Sequence, residues 1–183
     1  MKTRMDKLVI VDLEATCDNP RPSWLGEIIE VGVCLLDLKT LEVTNPKSIL
    51  VKPLSTPITP FCTQLTTLTP EIVNQGGTLL DAMSILHHEY KMSERIWASW
   101  GDYDRKQLVR ECGSKGFVFP GEFSPHLNLK RIFAVEYGFQ EEGMDSALNR
   151  FGLKLEGTHH RGCDDAVNIA RLYRAHLQKV RSK

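Results

Sequence analysis

Apolar residues come in short bursts at the start of this chain and at helical spacing later. Leu8 to Leu13 (LVIVDL) is a branched apolar run of the length and type of a central strand. The loop DNPRPSWLG follows, with two prolines and a glycine. EIIEVGVCLLDL and LEVTNPKSILVKP then predict two more strands, joined by a turn near Leu38–Leu41. PLSTPITPFCTQLTTLTPEIV is rich in Pro and Thr and predicts a loop with short helical turns, Pro70 standing at a helix N1 position behind Thr69. From Leu79 the period changes. Leu79, Met83, Leu86 and Tyr90 fall on one face of a helix, and Ile96–Trp100 is a short strand. Further helices are predicted over Tyr103–Cys112 with Gly113 as the stop, over Asn128–Tyr137 ending at Gly138, and over Met144–Phe151 ending at Gly152. A last helix spans about Asp165–Val180, with Ala166, Ile169, Ala170, Tyr173, Leu177 and Val180 three or four apart. Three strands, then alternating helices and one more strand, imply a mixed α/β sheet with helices on both faces. There is no internal repeat, low-complexity tract or linker-like break.

Composition narrows the classes. The chain has 183 residues, the size of one ordinary domain, with 42% hydrophobic and 25% charged residues, values of a globular protein. Lys plus Arg number 23 and Asp plus Glu number 23, so no overall basic field attracts polyanions. Any hold on phosphates must be local. From Arg150 to Lys183 eight basic residues face Glu156, Asp164 and Asp165, a net-basic stretch that suits either a phosphate backbone or a solvated helix face. Five widely spaced cysteines, without C-x-x-C, fit neither a disulfide framework nor a structural zinc site, and point to a reducing, cytoplasmic setting. The charged start MKTRMDK precedes an apolar run far too short for a signal peptide, and no segment approaches the roughly 20 apolar residues of a membrane span, so no membrane role is expected.

Three clusters carry chemistry. Asp12 and Glu14 in VDLEAT end the first strand two residues apart, on one face of it. Like charges that close repel, and a bound cation removes the repulsion, although a solvated strand end would tolerate them too. WGDYD, Trp100 to Asp104, follows a strand and opens a helix. Asp102 suits the N-cap, with Asp104 then free in the first turn, or both serve only the helix terminus. In GTHHRGCDDA two histidines and two aspartates precede the last helix, again as a cap or as a base with a ligand. Together, carboxylates on three element ends match a two-metal phosphoryl-transfer site for hard cations such as Mg²⁺ or Mn²⁺.

DLEAT, the aspartate of WGDYD and H-x-x-x-x-D in HRGCDD resemble, in order and separation, the three motifs of the DEDDh 3′-to-5′ exonucleases. DLEATC, FCTQLT and DDAVNIARL are similar to the branch of RNA-interference-enhancer and histone-mRNA 3′-end exoribonucleases, whose bacterial relatives include KapD-like proteins. The resemblance runs from about Leu8 to Leu177. It implies one exonuclease domain over residues 1–183 with a ribonuclease H-like fold, a mixed five-stranded sheet with helices on both faces. It implies that Asp12, Glu14, Asp104 and Asp165 hold two divalent cations, with Asp12 bridging them. His160 would be the general base, since it has the motif spacing to Asp165; His159 has that spacing only to Asp164. The implied substrate is the 3′ end of single-stranded RNA or DNA, RNA above DNA, and the product a nucleoside monophosphate. Leu13, Ala15, Leu65, Leu68 and Tyr103 are the implied substrate contacts. One departure stands out: where the family often reads leucine-threonine-glycine-isoleucine, this chain has Leu65-Thr66-Thr67-Leu68. A DNA exonuclease, or a silent regulatory protein on a nuclease fold, is the alternative. No protein partner can be named from these residues.

Overall fold

The computed structural model describes residues 3–182; Met1, Lys2 and Lys183, the ends of the charged N-terminal segment and of the basic C-terminal stretch, lie outside the described residues. Strands β1 (Arg4–Ala15), β2 (Ile28–Asp37) and β3 (Val43–Leu50) come first, then helices α1 (Pro60–Thr66), α2 (Pro70–Val73) and α3 (Leu79–His88). Strand β4 (Arg95–Ser99) leads into α4 (Tyr103–Ser114), and β5 (His126–Asn128) into α5 (Leu129–Tyr137), α6 (Met144–Arg150) and α7 (Gly162–Arg181). The sheet order is β3-β2-β1-β4-β5. β1, β2 and β3 are an antiparallel meander, whereas β4 pairs parallel to β1 and β5 parallel to β4.

The sheet buries both faces. Val9, Val11 and Leu13 of β1 pack with α3 and α4, including Leu79, Met83, Leu86 and Leu108. Leu8 and Ile10 point the other way, into a cluster with Leu129, Phe133, Leu148 and Ile169 from α5, α6 and α7. The strict alternation along β1 follows from the period of two in an extended chain. The fold therefore has the expected mixed sheet with helices on both faces.

Several boundaries differ from the sequence expectation. β1 begins at Arg4, not Leu8, because its exposed polar start still pairs with β4 through Arg4 and Arg95. β5 is a short strand that patterning did not predict, and Asn128, expected to start a helix, is its last residue and the N-cap of α5. Gly113 does not stop α4; the chain leaves the helix at Lys115, and the left-handed turn is made by Gly116 at φ +81. The last helix starts three residues before Asp165, at Gly162, with Arg161 in the cap position, so neither Asp164 nor Asp165 is the cap.

Candidate active site

β1 and β4 are parallel, so their C-terminal ends meet one edge of the sheet, the usual ligand edge of α/β folds. At that edge a cleft of about 330 Å³ opens, lined among others by Asp12, Glu14, Asp104, His159, His160 and Asp165. Asp12 and Glu14 continue the face of β1 that holds Leu8 and Ile10, the face covered by α5 to α7. Asp104 sits in the first turn of α4, directly behind β4, and accepts the Leu13 backbone N–H at 3.1 Å. Asp165 lies in the first turn of α7 and accepts the His160 backbone N–H at 2.9 Å.

The two open choices in the sequence come out differently. Asp102 occupies the N-cap position of α4 without making a cap bond, and its carboxylate points to Arg131 at 3.4 Å. The structure brings Asp104 into the cleft and leaves Asp102 outside it. The histidines do not separate in this way. Their rings stack with centroids 4.0 Å apart, both line the cleft, and His159 Nε2 is 3.9 Å from Asp165 Oδ2. His160 adopts a left-handed backbone, φ 62, which turns its N–H onto Asp165.

Electrostatically the edge is overloaded with negative charge. Burial, then the neighbouring Asp104, Glu14 and Asp165, holds the Asp12 carboxyl well above the ordinary carboxylate range. Burial, followed by Asp165 and Glu30, pushes Glu14 up to about 8. Burial likewise raises Asp104 and Asp165 to about 6 each. His160 moves the other way, lowered by burial and by His159, so its ring stays neutral at physiological pH. Asp12, Glu14 and Asp165 each present an oxygen within 4.8 Å of the others. Asp165 Oδ1 is buried without a hydrogen-bond partner, in contrast to most buried polar atoms. A clustered set of hard oxygen donors with an unsatisfied lone pair suits a divalent cation.

Glu30 is the residue that sequence patterning missed. It is fully buried on β2, opposite Glu14, and accepts the Gly162 N–H at 2.9 Å, the Arg161 Nε at 3.3 Å and the Ser48 hydroxyl. Two residues along, Gly32 lies so close to α7 that a Cβ there would stand 1.8 Å from the Gly162 carbonyl carbon. Glycine is required by this contact, which seats the start of α7, with Asp165 and the histidines, directly on β2. The clue was present as a charge inside the apolar run EIIEVGV. The same helix consumes much of the basic stretch: Arg161 is paired with Glu30, Arg171 with Glu156, and Lys179 lies over the Tyr137 ring.

Of the implied substrate contacts, Leu13, Ala15, Leu65 and Tyr103 line the cleft, as do Cys17, Trp100 and Met144, which sequence patterning did not single out. Leu68 is a correction: it has 0% exposure, packs with Ile29, Cys62 and Val73, and cannot touch a substrate. Thr67 explains why. It caps α1 in the left-handed conformation, φ 63, and turns Leu68 inward. The glycine of the family pattern is therefore replaced without loss of the turn, and Thr67 Oγ1 also accepts from Arg161 at 3.3 Å.

Comparison with known proteins adds a family to this geometry. The exonuclease family model matches residues 9–173. The chain is 28% identical over 189 residues to the 3'-5' exonuclease Snipper of Drosophila melanogaster, covering 90% of this chain and 67% of that protein. It is 30% identical over 181 residues to human 3'-5' exoribonuclease 1, covering 91% of this chain and 51% of the relative, so it spans only about half of that protein. It is 30% identical to human ERI1 exoribonuclease 3, across 98% of this chain and 58% of that one. Among solved structures, the rAMP-bound nuclease domain of 3'hExo, a DEDDh family member, superposes with a TM-score of 0.89 at 27% identity, over 98% of this chain and 95% of that one.

Proposed function

The chain belongs to the exonuclease family, and on that footing we propose that it hydrolyses single-stranded RNA from the 3′ end and releases nucleoside monophosphates. The observation that carries the reading is the convergence of Asp12, Glu14 and Asp165 oxygens within 4.8 Å, with Asp165 Oδ1 partnerless and buried. Acids held so close, two of them pushed far above their ordinary range, favour a cation over solvent. In this reading Asp12, Glu14, Asp104 and Asp165 hold two divalent cations, Mg²⁺ or Mn²⁺. Bound there, the cations supply positive charge and Lewis acidity for phosphoryl transfer.

The remaining roles fall to side chains around them. His160 accepts the proton of the attacking water, for which a neutral ring is needed. Asp165 positions His160 through its backbone N–H. Leu65 and Tyr103, exposed at the rim, hold the terminal base, while Leu13 and Ala15 line the floor. RNA is preferred over DNA in this proposal because the relatives that match at 30% identity carry exoribonuclease names. Five free cysteines support a reducing, cytoplasmic setting.

The test is digestion of end-labelled single-stranded RNA and DNA in Mg²⁺ or Mn²⁺, with Asp12→Asn as control. The expected outcome is stepwise shortening from the 3′ end of RNA, faster than of DNA and absent in the variant. Shortening by the variant at the parent rate sinks the site. Faster loss of DNA sinks the RNA preference.

A further inference from the structure

A second cavity, of about 450 Å³, adjoins the catalytic cleft and shares Cys17 and Tyr103 with it. Its volume is within the ordinary range for small-ligand sites. It is built from the loop between β1 and β2, which supplies Arg21 and Trp24, and from α4, which supplies Gln107 and Arg110. The character of the two cavities is opposite. The catalytic one holds four acids, Glu14, Asp104 and Asp165 buried and Asp12 half-buried. The second has two guanidinium groups and Asp18 as its one acid, whose carboxylate accepts the Asn19 backbone N–H. Arg110 is fixed by neutral acceptors, the Gly26 carbonyl at 2.7 Å and Gln107 Oε1 at 2.6 Å, so its charge is not cancelled. Arg21 is exposed and has no ion pair among the described residues. Trp24 is half-buried and offers an aromatic surface to the same space, and Tyr103 stands as the wall between the two cavities.

We propose that this second cavity is the subsite for the nucleotides upstream of the 3′ terminal one. A base stacks on Trp24, and Arg21 with Arg110 receives backbone phosphate. The inference rests on the nuclease reading above and extends it to a stretch of chain that the catalytic motifs do not touch. A positively charged groove with an aromatic platform is the general solution for holding single strands without reading their sequence. It also answers the charge problem of a neutral protein, since the strand meets local cations only where its backbone passes.

The experiment measures binding of a labelled single-stranded 12-residue RNA by fluorescence anisotropy, with every variant made in an Asp12→Asn background so that no strand is consumed. Trp24→Ala is expected to weaken binding by about 5-fold to about 150-fold, the equivalent of stacking one base. Trp24→Phe retains a ring and restores most of the affinity. Arg21→Gln flattens the plot of log affinity against log salt by about 0.7, the slope for one phosphate on a single strand. Parent-like affinity in Trp24→Ala refutes the subsite, as does an equal loss in Trp24→Phe, or an unchanged salt slope in Arg21→Gln. Cleavage of the same RNA by the parent chain is followed in parallel. Absence of cleavage with the binding pattern intact refutes the nuclease reading alone. Cleavage with the binding pattern absent refutes the subsite alone. If the Asp12→Asn chain binds no RNA, the subsite is refuted.

Discussion

Removing divalent cations should make this protein less stable as pH rises from 6.5 to 8, and restoring them should reverse the trend. Glu14 provides the magnitude. Unfolded, it ionises near 4.5; folded, burial together with Asp165 and Glu30 raises it to about 8. Between those values the folded chain keeps a proton that the unfolded chain has lost. Stability therefore falls with rising pH, by about 1.4 kcal/mol per pH unit for each such proton. Allowing for half-titration at the upper end, Glu14 alone loses roughly 1.5–2 kcal/mol across the window. Asp12 is raised well above its ordinary value and acts with the same sign. Asp104 and Asp165, raised to about 6, act with the same sign but mainly below this window. His126, lowered to about 4 by burial, and His160, also lowered, act with the opposite sign, mostly below the ordinary histidine value of 6.5, and offset only part of the fall at the lower end of the window. The buried thiols of Cys17 and Cys112, raised to about 12, matter only above the ordinary thiol range. Urea unfolding in EDTA at half-unit steps measures the slope, and Glu14→Gln should make it shallower. Cations bind the ionised acids and so stabilise more at pH 8 than at 6.5. A flat or rising metal-free profile, or an unchanged slope in Glu14→Gln, would refute the crowded-carboxylate account.

Three further outcomes follow from the site. His160→Ala should lower the turnover number by roughly 10²- to 10⁴-fold with little change in metal affinity, whereas His159→Ala should lose less; the reverse ranking in steady-state kinetics moves the base by one residue. Gly32→Ala should cost more than the ~1–3 kcal/mol of ordinary overpacking, because the new methyl meets the Gly162 backbone rather than a side chain; a chemical-denaturation midpoint equal to the parent's contradicts the close contact. Glu30→Leu should lower stability by about 1–3 kcal/mol, since it strands the Gly162 N–H and the Arg161 guanidinium; faster hydrogen exchange at Gly162 is the local signature, and unchanged exchange excludes the anchoring role.

What the sequence reveals about this site depends on whether a role is local. Asp12 and Glu14 are legible because the strand period alone puts them on one face, and the apolar run before them marks the strand. Asp104 is half legible: the strand–helix junction is plain, but that Asp102 turns out to Arg131 depends on α5, which is distant in sequence. The short β5 was invisible because three residues make no period. The motif groups Leu68 with Leu65 at the substrate, whereas its burial follows from the left-handed Thr67 between them. Glu30 was missed for the opposite reason. A lone charge in a strand has no local meaning, and the partners that tie it to α7 are 131 and 132 residues away.

The same long-range contacts show why the acidic edge can exist in a marginally stable fold. Four crowded acids, three of them buried, repel, and in β1 and α4 they are offset by single backbone N–H donors such as that of Leu13. The compensation comes from scaffold contacts made on other atoms. Gly32 admits α7 to van der Waals range of β2, Glu30 ties down its first amide, and Arg161 links Glu30 to Thr67 at the end of α1. Three elements far apart in sequence are thereby locked before any cation arrives, and Asp165 is held with one oxygen on the His160 amide and the other left open. A site arranged this way spends scaffold stability to keep charges together. Binding a cation then gains the relief of repulsion without a rearrangement of the ligands.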